Sequence, residues 1–127
     1  MKILVIENEE FLAENLCQYL KTIENLSIEY VTSAHKALQL LSQMTYDLVV
    51  SDLWLPDSKS DDWLLEVGKV NPGQNLIIMS SYPIPPTISS SENLNIIGYF
   101  EKPFDMKIIV NLINQLTKSS TKRSSYA

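Results

Sequence analysis

Five short apolar runs constrain the fold of this chain more than any other feature: "KILVI" at 2–6, "IEYV" at 28–31, "DLVVS" at 47–51, "NLIIMS" at 75–80 and "NIIGYF" at 95–100. They recur at intervals of roughly 20 to 25 residues, are rich in Val, Ile and Leu, and mostly fail to alternate with polar residues. Unalternating runs of this length suit parallel strands covered on both faces, because a half-exposed strand shows a period of two. The stretches between them carry helical spacing instead. Leu12, Leu16, Tyr19, Leu20 and Ile23 form a stripe over 9–23, and Ala34, Ala37, Leu38 and Leu41 form one over 34–43. Trp63, Leu64, Val67 and Val70 do so over 61–70, and Ile108, Ile109, Leu112, Ile113 and Leu116 over 105–116. Parallel neighbours need crossover connections, and these are right-handed. The alternation therefore predicts an α/β fold, a doubly wound five-stranded parallel sheet with helices on both faces.

The fourth crossover is the exception. "YPIPPTISSSENL" at 82–94 holds Pro83, Pro85 and Pro86, and a proline inside a helix costs about 3 kcal/mol. The fourth helix is expected to be short or irregular, starting no earlier than Pro85 or Pro86 at a first-turn position. The 127 residues suit one domain over 1–118, with 119–127 a flexible tail or linker remnant. That tail holds the only basic cluster of a chain whose net charge is −5, so direct nucleic-acid contact is not expected. Cys17 is the single cysteine, and neither a secretory signal nor an apolar run of transmembrane length is present. A cytoplasmic protein without membrane contact is expected.

In open α/β sheets, function gathers beyond the carboxyl ends of the strands. Those ends hold Glu7 and Asn8, then Asp52, then Ser80 with Ser81 as its rival, then Glu101 followed by "KPF" at 102–104. Carboxylates, a hydroxyl and a lysine on one rim suit phosphoryl chemistry at an aspartate. Carboxylate oxygens and water hold Mg²⁺, while lysine and hydroxyl meet the phosphoryl oxygens.

The segments "VIENEE" at 5–10, "DLVVSDLWLPD" at 47–57, "IIMSS" at 77–81 and "GYFEKPF" at 98–104 together resemble the receiver domain of two-component response regulators, of the chemotaxis-regulator kind. The resemblance implies a flavodoxin-like sheet of order 2-1-3-4-5. It makes Asp52 the phosphoryl acceptor, served by a phosphohistidine on a sensor histidine kinase or phosphotransfer protein. It assigns Glu7, Asn8, Asp52 and the backbone carbonyl of Trp54 to Mg²⁺, Lys102 and Ser80 to the phosphoryl group, and Tyr99 to a conformational switch. Pro103 matches a proline that often follows a cis bond. A signalling switch rather than an enzyme is what the resemblance implies, with a second copy of the chain, in a homodimer, among the expected partners.

The sequence departs from that family at Asn8, where aspartate is usual, and at Trp54 and Tyr82, whose rings would flank the acceptor. It also lacks the usual glycine before the third helix, where Asp57, Asp61 and Asp62 make the loop acidic. Asn8 and the irregular fourth crossover make a degenerate receiver, binding a partner without phosphorylation, the alternative. An aspartyl-phosphate phosphohydrolase would need an aspartate where Trp54 stands, and "ENEE" after the first strand would repel a flavin phosphate. Simpler roles also stand for single residues. Asn8 is a good N-cap ahead of Glu9 and Glu10, and the Asp57, Asp61 and Asp62 group suits a solvated loop capping the third helix. His35 suits the surface, Cys17 semi-buried packing, and Trp63 the core.

Overall fold

The computed structural model describes residues 1–58 and 62–126, with side chains through Lys118 outside the gap. Strands and helices alternate as β1 (Lys2–Ile6), α1 (Glu10–Leu20), β2 (Ser27–Val31), α2 (Ala34–Gln43), β3 (Leu48–Asp52), α3 (Trp63–Val70), β4 (Gln74–Ser80), α4 (Pro86–Ser89), β5 (Leu94–Glu101) and α5 (Met106–Tyr126). The five strands pair parallel in the order β2-β1-β3-β4-β5, the flavodoxin-like order that the resemblance implies. The order reverses between β1 and β3. Their register, with Ile6 opposite Ser51, brings the residues just beyond it, Glu7 and Asp52, to neighbouring strand ends.

Strict alternation of side chains across the sheet divides the core in two. On one face Leu4, Ile6, Val49, Leu76 and Ile78 pack with Ala37 and Leu41 of α2, Leu64 and Val67 of α3, and Ile88 of α4. On the other, Ile3, Val5, Leu48, Val50, Ile77 and Met79 meet Leu16 and Leu20 of α1 and Ile109 and Ile113 of α5. Both faces are covered, which explains why the strand sequences do not alternate in polarity.

Three expected stripe residues face solvent instead. The buried face of α1 is Ala13, Leu16, Cys17 and Leu20, an i, i+3, i+4, i+7 set, and Tyr19 lies outside it at 42% exposure. Cys17, expected half-buried, is accordingly buried. Ile108 and Val70 are likewise exposed, because Ile109 and Ile113 of α5, and Leu64 and Val67 of α3, already fill the width of each contact. Trp63 is buried as a core anchor, and its indole N–H donates to the Leu53 carbonyl at 3.1 Å. The proline-rich crossover forms a helix of 4 residues with Pro86 at its first position, as expected. Helix α5 passes the expected boundary at 118 and continues to Tyr126. No Gly or Pro interrupts 106–126, so helical propagation meets no breaker there. The side chains of 119–126, and Ala127 altogether, lie outside the described residues, as does the tail or linker role expected of them. Among the described residues no helix is long and apolar enough to cross a membrane.

Gly68 marks a close approach of α3 to the segment before β5. A Cβ there would lie 2.9 Å from the Asn93 Cβ and 3.2 Å from its carbonyl oxygen, so backbone blocks it. In an unobstructed helix, Gly→Ala gains about 1 kcal/mol. Gly68→Ala is expected to lose about 1–3 kcal/mol, the usual cost of overpacking. A urea melt of the variant should show a lowered midpoint, and a raised one would contradict the packing described.

Candidate functional site

Three charged side chains meet beyond the carboxyl edge of the sheet. Glu7 leaves β1 fully buried, Asp52 ends β3 at 7% exposure, and Lys102 follows β5. Adjacent strands lie about 4.8 Å apart, so β5 and β3 are separated by ~10 Å with β4 between them. The lysine stem and the Asp52 side chain together cross that gap. Its backbone N–H is fixed to the Ser80 carbonyl at 2.8 Å, and its Nζ donates to Asp52 Oδ2 at 2.8 Å and to Glu7 Oε1. The remaining carboxylate oxygens are also engaged. Glu7 Oε2 accepts from the Glu9 N–H at 2.9 Å, and Asp52 Oδ1 from the Trp54 N–H at 3.2 Å. The bond joining Lys102 to Pro103 is cis.

Two carboxylates and one ammonium leave this trio at −1 when all are ionised. Burial pushes the Glu7 carboxyl above its ordinary 4.5, against the downward pull of the Glu9 N–H and of Lys102, and the Asp52 charge adds to the rise. Burial alone would lower Lys102, but its bonds to Asp52 and Glu7 outweigh that and raise it above 10.5. Lys102 therefore contributes stability in full below about pH 10.5 and loses it as pH rises through its folded value. Glu7 acts in the opposite sense to a usual salt-bridged acid. The folded state holds its proton more tightly, so stability falls as pH rises from 4.5 through the folded value.

Ser80 is fully buried one residue past Met79, the β4 partner of Asp52, and its Oγ accepts from the Tyr82 N–H at 3.0 Å. Ser81 is exposed and lines a cavity of about 360 Å³ with Lys102, Glu9, Leu12, Phe104 and Met106. Tyr99 donates its hydroxyl to the Tyr82 carbonyl at 2.7 Å. The rings of Trp54 and Tyr82 meet edge to face, 6.5 Å between centroids, with both residues exposed.

Asn8 does not cap α1. The N-cap position is Glu9, without a side-chain bond. Because the Glu7 carboxylate takes the Glu9 N–H, the helix begins one residue later and Asn8 stays exposed on the rim. The acidic loop also departs from expectation. Asp57 caps α2 instead of α3, its carboxylate accepting from the Ala34 and His35 N–H groups at 2.9 Å each. Those bonds, the His35 N–H first, hold its carboxyl below the usual range. Asp62 occupies the N-cap position of α3 without a side-chain cap bond, and Asp61 lies outside the described residues. No local pattern could reveal Asp57, since its partners stand 22 and 23 residues away. His35 is exposed, and burial pushes the Cys17 thiol up.

The donor set suits a hard divalent cation. Asp52 and Glu7 offer carboxylate oxygens, Asn8 an amide oxygen and Trp54 a carbonyl, the oxygen ligands that Mg²⁺ takes. Among the described residues no three His, Cys, Asp or Glu side chains cluster as a metal site. Such a site fits a cation that keeps much of its shell as water, which is the habit of Mg²⁺.

Removing the cation that two buried carboxylates share should be costly. Lys102→Met is expected to destabilise the fold by about 3–5 kcal/mol near neutral pH, the cost of leaving buried charge unpaired. The deficit should shrink as pH falls through the raised folded value of Glu7, where that carboxyl takes up a proton. Urea unfolding at several pH values measures both effects, and a pH-independent deficit would contradict this account.

Residues 3–114 match the family model described as the response regulator receiver domain. The DNA-binding transcriptional regulator NtrC of Azospirillum brasilense is 28% identical over 75 residues, 59% of this chain and 16% of that protein. The transcriptional regulatory protein GlrR of Escherichia coli K12 is 25% identical over 99 residues, 78% of this chain and 22% of that protein. The chain thus spans less than a quarter of the length of either regulator. In fold it resembles the CheY-like receiver domain protein from Methanospirillum hungatei JF-1, with a TM-score of 0.79 at 21% identity over 96% of this chain and 97% of that one. Sheet order, strand-end chemistry and the family match agree, and the chain belongs to the receiver domains of two-component response regulators.

Proposed function

We propose that the chain works in a phosphorelay, accepting a phosphoryl group on Asp52 from a phosphohistidine of a sensor histidine kinase or phosphotransfer protein. The observation that carries this reading is the Lys102 ammonium 2.8 Å from Asp52 Oδ2 at the rim of a parallel sheet. An Asp52 oxygen attacks phosphorus and the P–N bond to the donor imidazole breaks. The imidazole leaves with its electron pair and takes a proton from solvent. Asp52 is left as an acyl phosphate. Lys102 balances the charge of the phosphoryl oxygens, and the Ser80 hydroxyl donates to one of them. Mg²⁺, held by Asp52, Asn8, Glu7 and the Trp54 carbonyl, would supply further charge neutralisation.

The signal has a short path outward. The Tyr82 peptide donates to Ser80 Oγ and accepts from the Tyr99 hydroxyl, so a phosphoryl group that draws Ser80 away also disturbs Tyr99. This supports a switch role for Tyr99. The net charge of −5 supports a partner other than nucleic acid for the chain itself.

The second reading, a degenerate receiver that binds its partner without phosphorylation, is favoured by Asn8, which removes one negative charge from the metal site, and by the short fourth helix, Pro86–Ser89. Incubation with acetyl phosphate and Mg²⁺, followed by intact-mass measurement, separates the two. A phosphoryl adduct on wild type and none on Asp52→Asn is expected; no adduct on either selects the degenerate module. Mg²⁺ titration followed by Trp54 fluorescence should show Asn8→Asp binding roughly tenfold more tightly, and equal affinity would remove Asn8 as a cause of weak binding. The facing rings of Trp54 and Tyr82 should slow the approach of water to the acyl phosphate. A Trp54→Ala, Tyr82→Ala double variant should therefore lose phosphate faster than wild type, and equal half-lives would refute shielding.

A further inference from the structure

The segment between β3 and α3 carries Trp54, whose N–H holds Asp52 Oδ1 and whose carbonyl stands in the proposed cation site. The two leucine side chains that flank Trp54 pack in the core. Leu53 is fully buried with its N–H on the Met79 carbonyl at 3.2 Å, and Leu55 is 3% exposed. The outer half has no such support, since Pro56 and Asp57 are exposed. It is nevertheless closed into a turn, because the Ser58 N–H and hydroxyl both donate to the Leu55 carbonyl, at 3.0 and 2.9 Å.

Within that turn Asp57 directs one carboxylate oxygen to the Ala34 N–H and the other to the His35 N–H. Two charge-assisted bonds to successive donors at the positive end of a helix hold a side chain in one place. Helix α2 already has its own N-cap, Ser33, which accepts from the Lys36 N–H at 3.2 Å. What the Asp57 carboxylate adds is a tie between α2 and the turn.

We infer that Asp57 is a positioning residue, clasping the Leu55–Ser58 turn to α2 and so fixing the Trp54–Leu55 peptide beside the acceptor. The inference rests on the phosphoryl-acceptor reading for its consequence, but the tie is measurable without it. Asp57→Ala should raise the hydrogen-exchange rate of the Trp54 and Ser58 amides, bonded to Asp52 Oδ1 and to the Leu55 carbonyl, at least fivefold in the metal-free protein. Ser33→Ala removes the other part of the α2 cap without touching the turn, and should leave both amides within twofold of wild type. In the acetyl phosphate reaction, Asp57→Ala should require three- to tenfold more Mg²⁺ for half-maximal rate, with the rate at saturating Mg²⁺ within twofold of wild type. Unchanged amide exchange in Asp57→Ala, or an equal rise in Ser33→Ala, overturns the inference whatever the reaction shows. Raised exchange with an unshifted Mg²⁺ requirement overturns its functional half. A wild type that takes no phosphate removes the acceptor reading instead, and leaves the exchange result to decide the tie.

Discussion

A single lysine ammonium shared by two buried carboxylates is the constraint on which the rest of this molecule turns. Glu7 has no solvent contact, and a lone buried carboxylate costs several kcal/mol. Lys102 and the Glu9 N–H make that burial tolerable. Because Lys102 comes from β5 and the carboxylates from β1 and β3, the pairing also requires all three strands to end at one level. The interdigitated cores on the two faces hold that level, so packing and electrostatics support the same register.

The trio also fixes the orientation of the strand-end oxygens. The two carboxylates and the ammonium together carry −1 when all are ionised, and the carboxylate oxygens are already oriented by fixed donors. Such preorganisation lowers the reorganisation that a reaction needs. It also means that modification of Asp52 disturbs a bonded network rather than an isolated side chain. Lys102 is bonded through its backbone to Ser80, Ser80 to Tyr82, and Tyr82 to Tyr99. A charge change at one strand end can therefore be felt on the outer edge of the sheet.

The segments that carry this network are held by different means. Trp54 sits between two buried leucines, and Asp57 ties the same segment to α2 by a carboxylate. Tyr82 lies in a proline-rich stretch whose helix has shrunk to one turn, with Ile88 as its buried anchor. The rings of Trp54 and Tyr82 touch across these two segments, joining a firmly held one to a lightly held one.

What could be read along the chain was whatever depends on near neighbours. Apolar runs marked all five strands to within a residue at each end, Pro85 and Pro86 marked where α4 starts, and strand-end chemistry picked out Glu7, Asp52 and Lys102. Details that depend on rotation or on distant partners were not legible. Tyr19, expected on the apolar stripe, faces solvent while Cys17 is buried, because two helix positions lie about 200° apart around the axis. Asn8 loses its capping role to a carboxylate two positions from the Glu9 amide, and Asp57 finds a helix 22 residues back along the chain. Period and propensity are local properties and survive in one dimension. Which donor a buried or turned-in carboxylate meets is settled when separate strands and helices pack, because the partners become neighbours at that point.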